Sequence, residues 1–170
     1  MLHAETLANE FVHHVAACPS GLMACTVRMA VESWLQIELA SMLSKSPYAG
    51  SIVCDWHYPG TREKADLVAR IADRQIVFEL KCFVKGADAK KLEKWPGQLS
   101  RLAKLIERGD APQGVAVSTF HGYGNDRVAC FIKQFYPTPW IAAGLLNFFD
   151  DAPLQLVVAT VAGENPGLNG

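Results

Sequence analysis

Three things are missing from this chain, and each absence narrows what it can do. Charge of one sign is the first. Sixteen Lys and Arg against 17 Asp and Glu leave a formal charge of −1 over 170 residues, so the chain as a whole is no electrostatic glove for a polyanion. Paired cysteines are the second. The five thiols, Cys18, Cys25, Cys54, Cys82 and Cys130, include no C-x-x-C pair, and an odd number closes no disulfide framework. They read as reduced, mostly buried thiols of a cytosolic protein rather than as zinc ligands. A long apolar run is the third. No segment has the roughly 20 apolar residues needed to cross a bilayer, and Glu5 and Glu10 stand where a secretory leader would be basic. Repeats and low-complexity tracts are also absent. With half its residues apolar, the chain is expected to form one soluble, cytoplasmic α/β or α+β domain over residues 1–170.

Periodicity gives a coarse order of elements. Leu7, Phe11, Val12 and Val15 fall at helical spacing, predicting a short amphipathic helix over residues 4–17. Cys18-Pro19-Ser20-Gly21 breaks it, with Ser20 as a cap for a long, largely buried helix from Leu22 to Leu43. Residues 51–56 read as a first strand, and Tyr58-Pro59-Gly60-Thr61 as a turn. Two further strands, 67–71 and 75–83, flank Ala72-Asp73-Arg74, which reads as a hairpin turn. A polar, lysine-rich loop is expected next, then a helix from Gly97 to Arg108 and a buried fourth strand over 113–120. Beyond it the reading is a helix over 126–135, ended by Pro137 and Pro139, a last strand over 154–161 and a frayed tail.

The chemistry concentrates in Asp66 and in Glu79-Leu80-Lys81. Glu79 and Lys81 interrupt an otherwise apolar strand and share a face at period two, while Ile76, Phe78, Leu80 and Cys82 fill the other. A carboxylate and an ammonium on an interior strand are costly unless they pair or bind a cation. Two readings follow: an edge-strand salt bridge of Glu79 with Lys81 or a neighbour, or a site in which two carboxylates hold a divalent cation beside a lysine. The second suits metal-assisted cleavage of a phosphodiester. Asp66, after the charged run Arg62-Glu63-Lys64, either ends a solvated turn or supplies the second carboxylate.

A helix, three strands, a helix and a fourth strand, with these acids at these points, resembles the PD-(D/E)XK nuclease superfamily, the restriction-endonuclease-like fold. The resemblance covers residues 22–120, leaving 121–170 as a C-terminal elaboration of the same domain. Asp66 matches the first motif acid, Glu79 the second and Lys81 the lysine, although Ala65 replaces the proline of the family name. The resemblance implies an αβββαβ core, with a mixed central sheet flanked by helices, plus an extra N-terminal helix and a C-terminal helix and strand. It implies Mg²⁺ or Mn²⁺ held by Asp66, Glu79 and the backbone carbonyl of Leu80. Lys81 would orient the attacking water, and the bond cut would be a phosphodiester, in DNA rather than RNA. Related nucleases add a glutamate from the first helix, for which Glu32 and Glu38 are the candidates; six residues apart, they point about 120° from each other. Gln98 corresponds to a glutamine that touches the site or substrate in some families, and reads equally as a helix-start surface residue.

Around the motif, residues 81–108 carry eight basic side chains against Asp88, Glu93 and Glu107. Lys85, Lys90, Lys91, Lys94 and Arg101 are candidates to follow a phosphate backbone, though a solvated helix face would look equally basic. Trp95 either stacks on a base or anchors the helix. His13, His14, His57 and His121 receive no metal role, because acids alone hold an oxygen-loving ion. Ser118 and Thr119 have no partner spacing that would make either a nucleophile. The rival to an enzyme is a catalytically silent or partner-dependent subunit of a DNA-processing or defence complex. A homodimer is a further expectation, with the apolar stretch Trp140–Phe149 as either interface or core.

Overall fold

The computed structural model describes residues 4–17, 31–58, 60–72, 74–109, 113–135, 141–147 and 154–161. Its elements are α1 (Ala4–Ala16), α2 (Val31–Ser44), β1 (Ala49–His57), β2 (Lys64–Ile71) and β3 (Arg74–Val84). They continue with α3 (Ala89–Glu107), β4 (Gln113–His121), α4 (Asn125–Phe135), β5 (Ile141–Asn147) and β6 (Leu154–Val161). The fold is α/β, built on one mixed open sheet of six strands in the order β1-β2-β3-β4-β6-β5.

β1, β2 and β3 form an antiparallel meander, while β4 runs parallel to β3 with α3 as the crossover. β6 and β5 then add antiparallel strands on the far side. The two-residue turn between Ile71 and Arg74 sets the β2–β3 register. Ala72 takes it at φ 53°, in the left-handed region that closes tight hairpins; Asp73 lies outside the described residues.

Helices cover both faces, which explains why β3 and β4 are apolar with little alternation. On one face Leu7, Phe11 and Val15 of α1 and Leu35, Leu39 and Leu43 of α2 pack over Leu67, Ile76, Phe78, Val117 and Leu156. On the other, Trp95 and Leu99 of α3 and Phe131 and Phe135 of α4 cover Phe83, Phe120 and Val157, with Leu102 and Leu105 over Val68 and Val77. Gly114 permits the close seat of α3 on β4, since a Cβ there would lie 2.8 Å from Ile106 Cδ1. Among the described residues no helix is long and apolar enough to cross a membrane.

Several expectations change. The lysine-rich segment before Gly97 is not a loop: α3 begins at Ala89 and carries Pro96 in its interior. Leu92 and Trp95 extend the apolar stripe of Leu99 and Leu102 upstream, and their burial outweighs the backbone bond that Pro96 forfeits. Ile141–Asn147, unassigned from sequence, forms the outer edge strand β5, while Trp140, Phe148 and Phe149 lie outside the described residues. β3 is an interior strand, so the edge-strand setting for a Glu79 salt bridge does not occur. The thiols are not mostly buried, because Cys54 and Cys130 are exposed; Cys82 is half-buried and all three are free. Cys18, Cys25, the cap Ser20, residues 22–30 of the expected long helix, Pro59, Pro137, Pro139 and the tail beyond Val161 lie outside the described residues.

Candidate functional site

The β2–β3 ladder runs from Ile71 opposite Arg74 to Leu67 opposite Phe78. At the next step a side chain takes over: Asp66 Oδ2 accepts a 2.6 Å hydrogen bond from the Leu80 N–H. The Asp66 carbonyl accepts another, also 2.6 Å, from Gln36 Nε2 of α2. Past this point lies a cleft of about 270 Å³ lined by Glu32, Ser33, Gln36, Asp55, Asp66 and Leu80. Five of those six residues are polar.

Glu79 lies beside Asp66, one strand over, and is only 6% exposed. Its Oε1 accepts a 2.9 Å hydrogen bond from the buried Tyr58 hydroxyl. Burial first, and the Asp66 charge second, push Glu79 up to about 7, while the Tyr58 bond, Arg101 and Lys81 pull the other way. Asp66 is also raised, chiefly by burial and by the charges of Glu32 and Asp55, against the Leu80 hydrogen bond and Lys81. Burial and the Glu79 charge drive Tyr58 far above its usual range, so it stays a neutral donor.

Lys81 does not pair with Glu79. Its Nζ sits 3.3 Å from Glu32 Oε1 at the start of α2, with both side chains part-exposed. The structure therefore sets Glu32 and Asp66 in one cleft and brings Glu79 and Lys81 within electrostatic reach of Asp66, although neither of those two lines the cleft. Glu38 goes elsewhere: its Oε2 meets His14 Nε2 of α1 at 3.0 Å. Gln98 is half-buried, about halfway along α3 rather than at its start.

Of the basic candidates, Lys85, Lys90 and Lys94 are exposed, Lys91 pairs with Asp88 at 3.1 Å, and Arg101 pairs with Glu63 at 2.8 Å. Trp95 is fully buried, edge-on to Phe83, and is an anchor rather than a stacking platform. His57 is exposed, while His121 is buried at the end of β4. Thr119 Oγ1 donates to Cys82 Sγ at 3.0 Å, which ties it to the sheet interior.

Asp55 and Tyr58 were not singled out from sequence. Cys54 stands opposite Leu67 and Trp56 opposite Ala65, which sets Asp55 across from Asp66. Asp55 has φ 51°, a left-handed conformation that aspartate tolerates better than most residues. Its signal was latent in the register, but the turn read at Tyr58-Pro59-Gly60-Thr61 does not by itself say how many residues separate the paired positions of β1 and β2.

Whether these residues suit a divalent cation follows from their chemistry and charge. Every donor is oxygen, the preference of Mg²⁺ and Mn²⁺. Glu32, Asp55, Asp66 and Glu79 outnumber the nearby cations Lys81 and Arg101; burial is the main cause that raises Asp66 and Glu79, and the neighbouring carboxylates add to it. Each of those two acids keeps one oxygen beyond its protein hydrogen bond. Among the described residues, no three His, Cys, Asp or Glu side chains already stand in a metal-holding group. The donor set fits a hard cation; the protein alone supplies two carboxylates rather than a closed cage. Compared with family models, curated proteins and solved structures, the chain matches none.

Proposed function

We propose that this protein is a Mg²⁺-dependent nuclease with a restriction-endonuclease-like core, hydrolysing phosphodiester bonds in DNA. The observation that supports it best is the Asp66–Leu80 hydrogen bond at the end of the β2–β3 ladder. It brings one acid beside Glu79 at the point where the strands cease to pair, with Lys81 two residues on. The helix–meander–helix–strand order from α2 to β4 agrees with the same reading.

Asp66, Glu79 and the Leu80 carbonyl would hold Mg²⁺, which supplies Lewis acidity to a phosphate oxygen and lowers the pKa of a water when bound. The chain's own groups do the rest. Lys81 orients the attacking water and offsets negative charge as the phosphorus gains its fifth oxygen. Glu32 restrains the Lys81 ammonium, which would otherwise sample many rotamers. Tyr58 fixes the Glu79 carboxylate from behind and never ionises itself. Water adds to phosphorus, the P–O bond to the leaving sugar breaks, and a phosphomonoester and a hydroxyl result.

A second reading is a silent, partner-dependent subunit. It is favoured by one observation: no ready-made three-ligand group exists among the described residues. Calorimetry with Mn²⁺ separates the two. Stoichiometric binding that disappears in Glu79→Gln supports the enzyme, and absence of binding by the wild type supports the silent subunit. Incubation with supercoiled, single-stranded and branched DNA in Mg²⁺, Mn²⁺ or EDTA tests the activity itself: metal-dependent cutting is expected, and inertness toward all three would overturn it.

A further inference from the structure

A second concavity lies on the face of the sheet that α3 and α4 cover, opposite the α2 side that carries the cleft. It is a cavity of about 370 Å³ between the start of α3 and the body of α4. Its floor is aromatic: Tyr123, Phe131 and Phe135 line it, the last two stacked at 5.3 Å. Ala89, the first residue of α3, lines it as well, with Glu93 one turn on and Arg127 of α4.

Three kinds of hydrogen-bond donor border this floor. The first are the Ala89 and Lys90 N–H groups, which open a helix of 19 residues and have no acceptor among the described residues. Asp88, at the cap position, provides no side-chain cap. One of its carboxylate oxygens accepts from the Val84 N–H at 2.8 Å, and the other pairs with Lys91 at 3.1 Å. The second is Arg127, whose guanidinium lies 4.8 Å over the Phe131 ring and makes no ion pair among the described residues.

Tyr123 is the third. It is only 8% exposed, with its ring held edge-on by Phe120 and Phe131. Its hydroxyl has no hydrogen-bond partner among the described residues, a cost that a bound acceptor would remove. Burial first and the Asp88 charge second raise its pKa, while Arg127 lowers it. The hydroxyl is thus a neutral donor within reach of Arg127.

We propose that this cavity is a second binding site, for a small ligand that joins a flat ring to a phosphate or carboxylate. The aromatic floor takes the ring. The anion meets Arg127, the Tyr123 hydroxyl and the positive end of α3. The volume falls within the range of about 300–1,000 Å³ usual for small-molecule pockets. Against these donors stands one acid, the exposed Glu93 at the rim. None of these residues borders the cleft, so the proposal does not rest on the nuclease reading.

The test is an NMR titration in EDTA with phenyl phosphate and benzoate, beside phenol and inorganic phosphate. The tighter of the two ring anions tells phosphate from carboxylate. A ligand this small is expected at a Kd of about 0.1–5 mM, with phenol and inorganic phosphate roughly tenfold weaker or more. The amide signals of Ala89 and Lys90 should shift with it. Arg127→Gln should weaken the tighter probe about 10- to 100-fold, the worth of a charge-assisted hydrogen bond. Tyr123→Phe keeps the ring and should weaken it several-fold. Glu93→Gln should tighten it, because the acid repels the anion. Circular dichroism verifies folding. Asp66→Asn, in the cleft, should bind the probe as the wild type does, which separates this site from the nuclease reading. Several results would overturn the proposal: no shift with either ring anion at about 20 mM, phenol or inorganic phosphate bound as tightly, or wild-type affinity in Arg127→Gln and Tyr123→Phe. Weaker binding in Glu93→Gln would mean a ligand with a cationic group, and weaker binding in Asp66→Asn would put the anion in the cleft; either contradicts the assignment.

Discussion

Asp66 and Leu80 are joined by a 2.6 Å hydrogen bond from a backbone N–H to a carboxylate, one step beyond the last paired residues of β2 and β3. Asp66 thus ties the strands together and also lines the cleft. Asparagine can still accept from the Leu80 N–H, whereas alanine leaves that donor without its partner, a cost of about 1–3 kcal/mol when buried. Asp66→Asn is therefore expected to unfold in urea within about 1 kcal/mol of the wild type, and Asp66→Ala to be weaker by more. Both should lose cleavage. Equal stability of the two variants would mean that the hydrogen bond contributes little.

Glu79 makes the metal-free protein weaker as pH rises. Its folded pKa, about 7, is above the ordinary 4.5, so the folded state holds more protons than the unfolded state between those values. Stability is then greatest below about 4.5 with respect to this group, and falls as pH rises toward 7. Asp66 is raised as well and acts in the same direction. The contribution of Glu79 is about 3 kcal/mol at most. In EDTA, Glu79→Gln is expected to melt higher than the wild type at pH 8, and Mg²⁺ should stabilise only the wild type. A wild-type melting temperature that rises between pH 5 and 8 in EDTA, parallel to that of Glu79→Gln, would contradict this.

Tyr58 is expected to set where Glu79 titrates. Its hydroxyl stabilises the ionised carboxylate, so Tyr58→Phe should move the pH midpoint of Mn²⁺ binding upward. It should also cost about 1–3 kcal/mol of stability, through a buried acceptor with one partner fewer. An unmoved midpoint together with lost stability would make Tyr58 purely a packing residue.

Gly114→Ala probes the seat of α3 on β4. The added methyl meets Ile106 at 2.8 Å and Leu102 at 3.1 Å, and overpacking of this kind costs about 1–3 kcal/mol. Metal affinity should be unchanged, because α3 carries no proposed ligand. Weaker metal binding in a folded Gly114→Ala would tie α3 to the metal site.

Much of this was written locally in the sequence, and the rest was not. The β2–β3 hairpin is readable because two apolar runs flank a short polar turn, and Glu79 stands out because charge on such a strand needs a reason. The start of α3 was hidden by Pro96-Gly97, a pair that ordinarily breaks a helix and here is overridden by the burial of Trp95. β5 was hidden because Ile-Ala-Ala-Gly-Leu-Leu-Asn has no alternation. Glu32 and Glu38 differ by 120° on one helix, but only the packing of α1 reveals that His14 takes Glu38. Asp55 depends on pairing across residues 58–63, and such register is a tertiary fact.

The account is tested most directly by cleavage of supercoiled plasmid in Mg²⁺, Mn²⁺ or EDTA, with the wild type beside Asp66→Asn, Glu79→Gln and Lys81→Ala. It predicts nicked or linear product from the wild type only with metal, and none from the three folded variants. Cutting that persists in EDTA, or in all three variants, would contradict it.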